Sequence, residues 1–135
     1  MKLRVLIVDD EPDFLQLVEF NLSSQGFEVS GAANGLQALQ KARCEAPHVI
    51  VLDLMLPDLN GFAICEILQA QPSTRDTPVI ILSALDAQTA RTRSGRTNVA
   101  RCFKKGELDL KSLGLCIQAV CDEQQQTRSR PAQQD

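Results

Sequence analysis

The sequence lacks tryptophan and tyrosine, and its only histidine is His48. Its five cysteines include no Cys-x-x-Cys pair, so neither a zinc cluster nor a disulfide framework fits, and buried reduced thiols are the simplest interpretation. No apolar run approaches the length of a membrane span, which is about 18 residues, and the N-terminus does not resemble a secretory signal. These absences predict a cytoplasmic protein without a metal site built from cysteine or histidine.

What the sequence does contain is an alternation of short apolar runs with helical patterns. Five runs are strand candidates, namely residues 3–8, 27–31, 48–52, 78–82 and 99–103. The third and fourth are rich in valine and isoleucine, as strands buried on both faces tend to be. Pro12 suits a first helical position, and Asn34 suits a helix cap. Repeated strand–helix units of this kind predict a parallel sheet with helices on both faces.

The helical patterns differ in strength along the chain. Apolar residues recur at spacings of three and four in the segments 14–22, 61–68 and 113–120. Residues 86–96 hold only two apolar side chains, so we expect that segment to pack loosely and move easily. Residues 122–135 cannot support a core, and we expect them to form a flexible polar tail after one domain spanning residues 1–121.

Acidic side chains follow two of the predicted strands at the point where each strand ends. Asp9 and Asp10 come directly after the first strand, and Asp53 comes directly after the third. Ligand sites in such sheets form outside the carboxyl ends of the strands, so we expect the three carboxylates to meet in one pocket. Carboxylates this close repel one another unless a cation neutralises them. A hard divalent ion that prefers oxygen ligands, Mg²⁺ in particular, would do so.

Two other strand ends carry groups suited to a phosphoryl group. Ser83 follows the fourth run and Lys105 follows the fifth. The acids could bind the metal ion while the hydroxyl and the ammonium contact phosphoryl oxygens. Taken singly, each residue has a simpler explanation: the acids could begin a helix, Ser83 could be a turn residue, and Lys105 could be a solvated charge.

This set of residues resembles the receiver domain of bacterial two-component response regulators. The resemblance covers about residues 2–121, at the spacings usual for the family, and rests on Asp9-Asp10, on Asp53 within VLDLMLPDLNG, on Ser83-Ala84 and on Lys105. It implies a flavodoxin-like α/β fold, a doubly wound five-stranded parallel sheet with strand order 2-1-3-4-5 and helices on both faces.

The resemblance also implies how phosphorylation would occur. Asp53 would be the nucleophile that takes a phosphoryl group from the phosphohistidine of a sensor histidine kinase or a histidine phosphotransfer protein. Asp10 would bind Mg²⁺ directly, and Asp9 would act mainly through water. Asp53 and the backbone carbonyl of Met55 would complete the protein's share of the metal ligands.

The resemblance further implies that Lys105 would bind a phosphoryl oxygen. Ser83 would move towards the phosphoryl group and act as the switch. The small side chain of Ala84 would keep the route to the aspartate open. Pro57 and Gly61 fit the family's loop after the phosphorylation site, where Gly61 would relieve a tight backbone turn. The chain would assist its own phosphorylation and dephosphorylation without being a conventional enzyme.

Two positions near the site lysine depart from the family's pattern. Cys102 stands where a tyrosine or phenylalanine is usual, and strand alternation sends the neighbouring Phe103 to the opposite face. We therefore expect the serine movement to be coupled to the partner surface weakly or by another route. Gly106 replaces the usual proline, so we expect a trans peptide bond before it. Lys104 is a competing site lysine, although the spacing favours Lys105.

Two apolar residues flank the expected path of the water that would hydrolyse the phosphoryl group. Met55 and Leu85 each lie two positions past a site residue. Neither can orient a water molecule by hydrogen bonding. We therefore predict slow self-dephosphorylation.

Seven bases lie between residues 91 and 111. A solvated face is the simplest interpretation, but the family suggests that the face formed by residues 86–121 docks a downstream protein, and a homodimer is a further option. Nucleic-acid binding by this chain alone is not favoured, because no helix-turn-helix segment follows and aromatic rings for base stacking are scarce. Without an output domain, the chain would act alone through protein contacts or be a fragment of a longer protein.

Two other interpretations stay open. A degenerate receiver, motivated by Cys102 and Gly106, would be an interaction module that does not depend on phosphorylation and would fail to bind Mg²⁺ or accept a phosphoryl group. A phosphohydrolase with an aspartyl nucleophile would want a second acid two residues after it, where this chain has Met55. Turnover of a free phosphate ester would support that enzyme.

Overall fold

The strands begin and end within one residue of the positions predicted from the sequence. The computed structural model describes residues 2–84, 99–107 and 109–129. The strands are β1 (Arg4–Val8), β2 (Glu28–Ala32), β3 (Val49–Leu52), β4 (Val79–Ser83) and β5 (Val99–Lys104). They form one sheet in the order β2-β1-β3-β4-β5, with every neighbouring pair parallel. The predicted fold class is confirmed.

Four helices lie within the described residues, namely α1 (Pro12–Ser24), α2 (Gly35–Glu45), α3 (Gly61–Ala70) and α4 (Leu110–Ser129). Pro12 is the first residue of α1, where its missing N–H leaves no helical bond unmade. Asn34 caps α2 as predicted, since its Oδ1 accepts a hydrogen bond from the Gln37 amide at 2.8 Å. None of these helices combines the length and apolar character that crossing a membrane requires. The predicted loose segment, residues 86–96, lies outside the described residues.

The sheet separates two hydrophobic cores. Leu6 and its strand-mates on the same face pack with α2 and α3, whereas Ile7 and its strand-mates pack with α1 and α4. This division follows from the alternation of side chains along each strand. Cys102 belongs to the first core and Phe103 packs against the second, so the expectation that they face opposite ways is confirmed.

Helix α4 is longer than its apolar pattern indicates. Residues 122–129, predicted from the sequence as part of a flexible tail, are helical. Glu123 pairs with Arg101 at 2.8 Å, and the Gln124 side chain donates to the carbonyl of Asp76 at 2.6 Å. Because glutamate, glutamine and arginine are good helix formers, these polar contacts can extend the helix without an apolar core. The domain boundary at residue 121 and the flexibility of the segment after it stay predictions.

The cysteines are only partly buried. All five lie within the described residues and none of them forms a disulfide. Cys65, Cys102 and Cys121 are buried, and Cys116 is half-buried. Cys44 is exposed near the end of α2, whose core-facing residues include Ala42. The prediction of buried thiols was therefore wrong for Cys44.

Strand β2 forms one edge of the sheet, and a lysine from α2 reaches it. The Lys41 ammonium donates to the carbonyl of Gly31 at 2.6 Å and lies 3.4 Å from Ser30 Oγ. A backbone acceptor near the sheet edge is thereby occupied by a charged side chain.

Candidate functional site

Charged side chains gather at the rim formed by the carboxyl ends of the strands. Asp9 and Asp10 follow β1, Asp53 follows β3, and Lys105 follows β5. The strand order places β1 beside β3, with β4 between β3 and β5. Carboxylate oxygens of the three aspartates lie within 4.8 Å of one another. The sheet therefore brings together residues that are up to 96 positions apart in the sequence.

The three aspartates differ in exposure and in backbone support. Asp9 and Asp53 are buried, whereas Asp10 is exposed. Asp9 Oδ1 accepts a hydrogen bond from the Glu11 amide at 2.9 Å, and Asp53 Oδ1 accepts one from the Met55 amide at 3.1 Å. Burial raises the pKa of Asp9 above its ordinary value, although hydrogen bonds from Lys105 and from the Glu11 amide act in the opposite direction.

This donor set suits a divalent cation. Three carboxylates at one rim supply hard oxygen ligands, which Mg²⁺ prefers to nitrogen or sulfur ligands. One oxygen of Asp9 and one of Asp53 are already fixed by backbone amides, so the pocket is partly organised. The residues present therefore fit a magnesium ion.

Lys105 contacts two of these three aspartates. Its ammonium lies 2.7 Å from Asp9 Oδ2 and 3.5 Å from Asp53 Oδ2, and it also pairs with Glu11. Burial alone would lower the pKa of Lys105, but hydrogen bonds to Asp9 and Glu11 outweigh it and raise the pKa above its ordinary value. Lys104 is exposed at the end of β5, so Lys105 is the lysine that the fold directs at the carboxylates.

The backbone after Lys105 has a conformation that suits Gly106, the residue that stands where the family usually has proline. The peptide bond before Gly106 is trans, as expected. Gly106 has a φ of 94°, a left-handed value that glycine adopts at little cost. The chain therefore turns away from the rim at a residue suited to that turn.

Ser83 ends β4 and is fully buried. Its carbonyl accepts a hydrogen bond from the Lys105 amide at 2.6 Å. Because β4 lies between β3 and β5, Ser83 stands on the strand that separates the aspartate nucleophile candidate from the lysine. Ala84 follows it on the surface, and Leu85 lies outside the described residues. The roles of these residues stay predictions.

The loop after Asp53 folds back, so that its end at Gly61 lies against its start at Leu54. The Gly61 amide donates to the carbonyl of Leu54 at 3.0 Å. A Cβ at position 61 would lie 2.5 Å from Leu54 Cα and 3.2 Å from the Asp53 carbonyl oxygen. Gly61 does not have a positive φ. Glycine is required here because the turn after Asp53 brings two backbone segments too close together for a Cβ, which agrees with the tight backbone turn expected from the sequence.

Asp58 in the same loop caps a helix distant in sequence. Its carboxylate accepts hydrogen bonds from the amides of Gly35 at 2.7 Å and Leu36 at 3.0 Å, at the N-terminus of α2. These bonds lower the pKa of Asp58. No local pattern in the sequence indicates this contact, because the residue that local patterns identify as the cap of α2 is Asn34.

Two further residues near Lys105 were not identified from the sequence. Glu11 was not singled out among the acids, and Phe14 counted only as the first residue of the apolar segment 14–22. The structure places Glu11 against the Lys105 ammonium, and that ammonium lies 4.5 Å from the centroid of the Phe14 ring. The adjacency of Asp9, Asp10 and Glu11 in the sequence was the one available signal.

His48 lies at the other end of β3 from Asp53. Its Nδ1 accepts a hydrogen bond from the Arg4 amide at 2.9 Å, and its own amide donates to the Arg4 carbonyl at 2.8 Å. These contacts join β3 to β1. In this position His48 supports the pairing of the two strands.

Comparison with known protein families gives one match that covers most of the chain. The family model described as the response regulator receiver domain matches residues 5–113. Among curated proteins, the response regulator PleD of Caulobacter vibrioides is 40% identical over 91 residues, which cover 67% of this chain and 20% of that protein. The DNA-binding dual master transcriptional regulator RpaA of Synechocystis is 42% identical over 82 residues, covering 61% of this chain and 34% of RpaA. The chain thus spans only a fifth to a third of the length of these relatives.

Solved structures share the fold over nearly the whole chain. The receiver domain of the Francisella response regulator 1452 superposes with a TM-score of 0.81 at 26% identity, covering 90% of this chain and 98% of that one. The chemotaxis response regulator CheY4 of Vibrio cholerae gives a TM-score of 0.79 at 26% identity, covering 89% and 99%.

Proposed function

The chain belongs to the response regulator receiver domain family, and from this premise we propose that Asp53 accepts a phosphoryl group from a phosphohistidine on a sensor kinase or phosphotransfer protein. The observation that carries the proposal is the meeting of Asp9, Asp10, Asp53 and Lys105 at one rim of the sheet. Phosphorylation would then switch a protein-binding surface on the same domain.

The geometry at Asp53 suits it to be the nucleophile. One carboxylate oxygen, Oδ1, is held by the Met55 amide, while Oδ2 lies 3.5 Å from the Lys105 ammonium. In the transfer, a carboxylate oxygen forms a bond to phosphorus as the phosphorus–nitrogen bond of the donor breaks. The electron pair of that bond stays on the donor's imidazole nitrogen. Lys105 would neutralise charge on the phosphoryl oxygens during this step.

Asp9, Asp10, Asp53 and the backbone carbonyl of Met55 would hold the magnesium ion. When bound, Mg²⁺ would supply positive charge to the phosphoryl oxygens. The buried Ser83 would contact the phosphoryl group from the neighbouring strand. Because these residues act once on their own domain, the protein is a signalling module and not a conventional enzyme.

The proposed switched surface belongs to the face of residues 86–121, which includes β5 at the edge of the sheet and the first part of α4. Of the seven bases predicted to form a docking face, three lie outside the described residues. Arg101 is paired with Glu123 and Lys105 with the aspartates, whereas Lys104 and Lys111 are exposed. Among the four described bases, Lys104 and Lys111 are therefore the ones that an acidic downstream partner could contact without breaking an ion pair shown here.

The proposal is tested with a donor that contains a phosphorus–nitrogen bond. The full chain is incubated with phosphoramidate and Mg²⁺, and incorporation of one phosphoryl group is followed by intact-protein mass spectrometry. We expect incorporation that requires Mg²⁺ and is reversed by hydroxylamine, which cleaves acyl phosphates. Asp53→Asn should abolish it.

Asp76→Asn is the matched control, because Asp76 is an exposed aspartate in the turn before β4. This variant should be phosphorylated like the wild type. A chain that folds but accepts no phosphoryl group and binds no Mg²⁺ would instead support an interaction module that works without phosphorylation. Continuous release of phosphate from a simple phosphate ester would support a phosphohydrolase.

A further inference from the structure

An aromatic ring lies next to the site lysine. The Lys105 ammonium is 4.5 Å from the centroid of the Phe14 ring, inside the separation of about 6 Å at which a ring attracts a cation through its quadrupole. Phe14 lies in the first turn of α1 and is half-buried against the core between the sheet, α1 and α4. Packing therefore holds the ring in place.

We propose that Phe14 is a positioning residue for Lys105: it holds the ammonium beside Asp53 through a cation–π contact. The inference rests on the proposed phosphorylation of Asp53, but the contact itself is independent of that function. Phe14 touches neither donor nor phosphoryl group, and it would act only through the lysine.

The carboxylates around Lys105 do not by themselves direct its ammonium to Asp53. Asp9 lies closer, at 2.7 Å against 3.5 Å for Asp53. Glu11 forms a third ion pair from an exposed position, with 62% of its side chain accessible. If these carboxylates were its only partners, the ammonium could bind Asp9 or Glu11 instead of the proposed nucleophile Asp53.

The ring differs from these acceptors because it has no charge to be neutralised. Cation binding at the three aspartates would weaken the attraction of Asp9 for the lysine, since the two cations would compete for the same carboxylate. A transferred phosphoryl group would likewise change the charge at Asp53. The contact with Phe14 persists through both events, so it can keep Lys105 in reach of the phosphoryl oxygens.

The contact should matter because the lysine is largely shielded from water. Only 15% of its side chain is exposed, and cation–π attraction strengthens when the cation is desolvated. We expect Phe14→Leu, which keeps an apolar side chain but removes the ring, to weaken binding of the phosphoryl mimic beryllofluoride about threefold to tenfold. Phosphorylation by phosphoramidate should slow by a similar factor.

A double-mutant cycle separates positioning from general damage. Beryllofluoride affinity in the presence of Mg²⁺ is measured for the full-length wild type, Phe14→Leu, Lys105→Met and the double variant. If Phe14 acts through the lysine, its substitution has no further effect once Lys105 is methionine. Equal losses in both backgrounds would overturn the proposal.

Two variants control the chemistry of the ring. Phe14→Tyr keeps an aromatic face and should restore affinity to within about twofold of the wild type. Phe20→Leu removes an exposed phenylalanine from the same helix, 72% accessible, and should change neither affinity nor rate. A Phe14→Tyr variant as weak as Phe14→Leu would show that the ring face is not what matters.

A second readout does not depend on phosphorylation. The ε-methylene protons of Lys105 adjoin the ammonium, so a nearby ring should shift their NMR resonances upfield in the wild type and in Phe14→Tyr but not in Phe14→Leu. Absence of this shift in the wild type would overturn the inference whether or not Asp53 is phosphorylated. Presence of the shift in a chain that accepts no phosphoryl group would leave the contact established and the proposed function wrong.

Discussion

Adding one methyl group at Gly61 should force the neighbouring backbone to move. In Gly61→Ala, the added Cβ would meet Leu54 Cα at 2.5 Å, about 0.9 Å closer than the 3.4 Å at which ordinary contact begins. Because the opposing atom belongs to the backbone, no rotation of a side chain relieves the overlap. The loop that follows Asp53 must move instead.

The magnitude follows from the cost of overpacking. Inserting one methyl group into a well-packed region typically costs about 1–3 kcal/mol, and we expect Gly61→Ala to lose stability in this range. The matched control is Gly31→Ala, whose Cβ would meet the carboxylate of Glu19 at 3.1 Å. That carboxylate ends a flexible side chain and can move, so a change within about 0.5 kcal/mol is expected.

The assay is urea denaturation followed by far-UV circular dichroism, since the chain has no tryptophan or tyrosine to report by fluorescence. A lower midpoint at unchanged slope gives the loss of folding free energy. Beryllofluoride binding by folded Gly61→Ala should also weaken, because Asp53 and Leu54 are adjacent in the displaced backbone. If Gly61→Ala matches Gly31→Ala in both measurements, the reasoning from backbone contact is wrong.

Three other predictions concern the loop and the thiols. Met55→Asn should speed loss of the phosphoryl group from the isolated phosphorylated protein severalfold, because an amide can orient water and a thioether cannot; an unchanged decay rate would contradict this. Asp58→Ala should lower the urea midpoint at pH 7. The difference from wild type should shrink as the pH falls below 3.8, because the pKa of Asp58 is lowered in the folded state. Its contribution to stability is therefore lost as the pH falls through that lowered pKa. A difference constant down to the acid limit of folding would argue against the cap. A thiol reagent at pH 8 should label exposed Cys44 first, because burial raises the pKa of Cys121 to about 11 and keeps that thiol protonated. The fast phase of labelling should disappear in Cys44→Ser. A fast phase that survives in this variant would contradict the assignment to Cys44.

The strands and helices were predictable because their signals are local, whereas the strand order followed from the family resemblance. Pro12 and Asn34 mark helix starts through their own backbone chemistry, and the valine-rich and isoleucine-rich runs mark strands buried on both faces. The meeting of Asp9, Asp10 and Asp53 followed from one general rule about the carboxyl ends of parallel strands. No contact between distant side chains had to be known for either prediction.

The features that sequence reasoning missed depend on how loops and helix ends pack. Asp58 reaches α2 only because the loop after Asp53 folds over that helix, and Phe14 meets Lys105 only because α1 begins beside the end of β5. The close approach of Gly61 to Leu54 is likewise a matter of backbone packing. Helix α4 extends beyond its apolar stripe, where an ion pair and an amide contact support it, and apolar periodicity does not reveal such contacts.

The lysine at the edge of β2 has a consequence for how this molecule meets copies of itself. A strand from another molecule that tried to extend the sheet there would have to displace the Lys41 ammonium from the Gly31 carbonyl. It would also have to desolvate that charge without offering it a better acceptor. Exposed edge strands can pair with strands of other molecules and cause aggregation, and a charged side chain over the edge opposes this pairing. Lys41 thus makes the exposed edge of β2 a poor template for fibril growth.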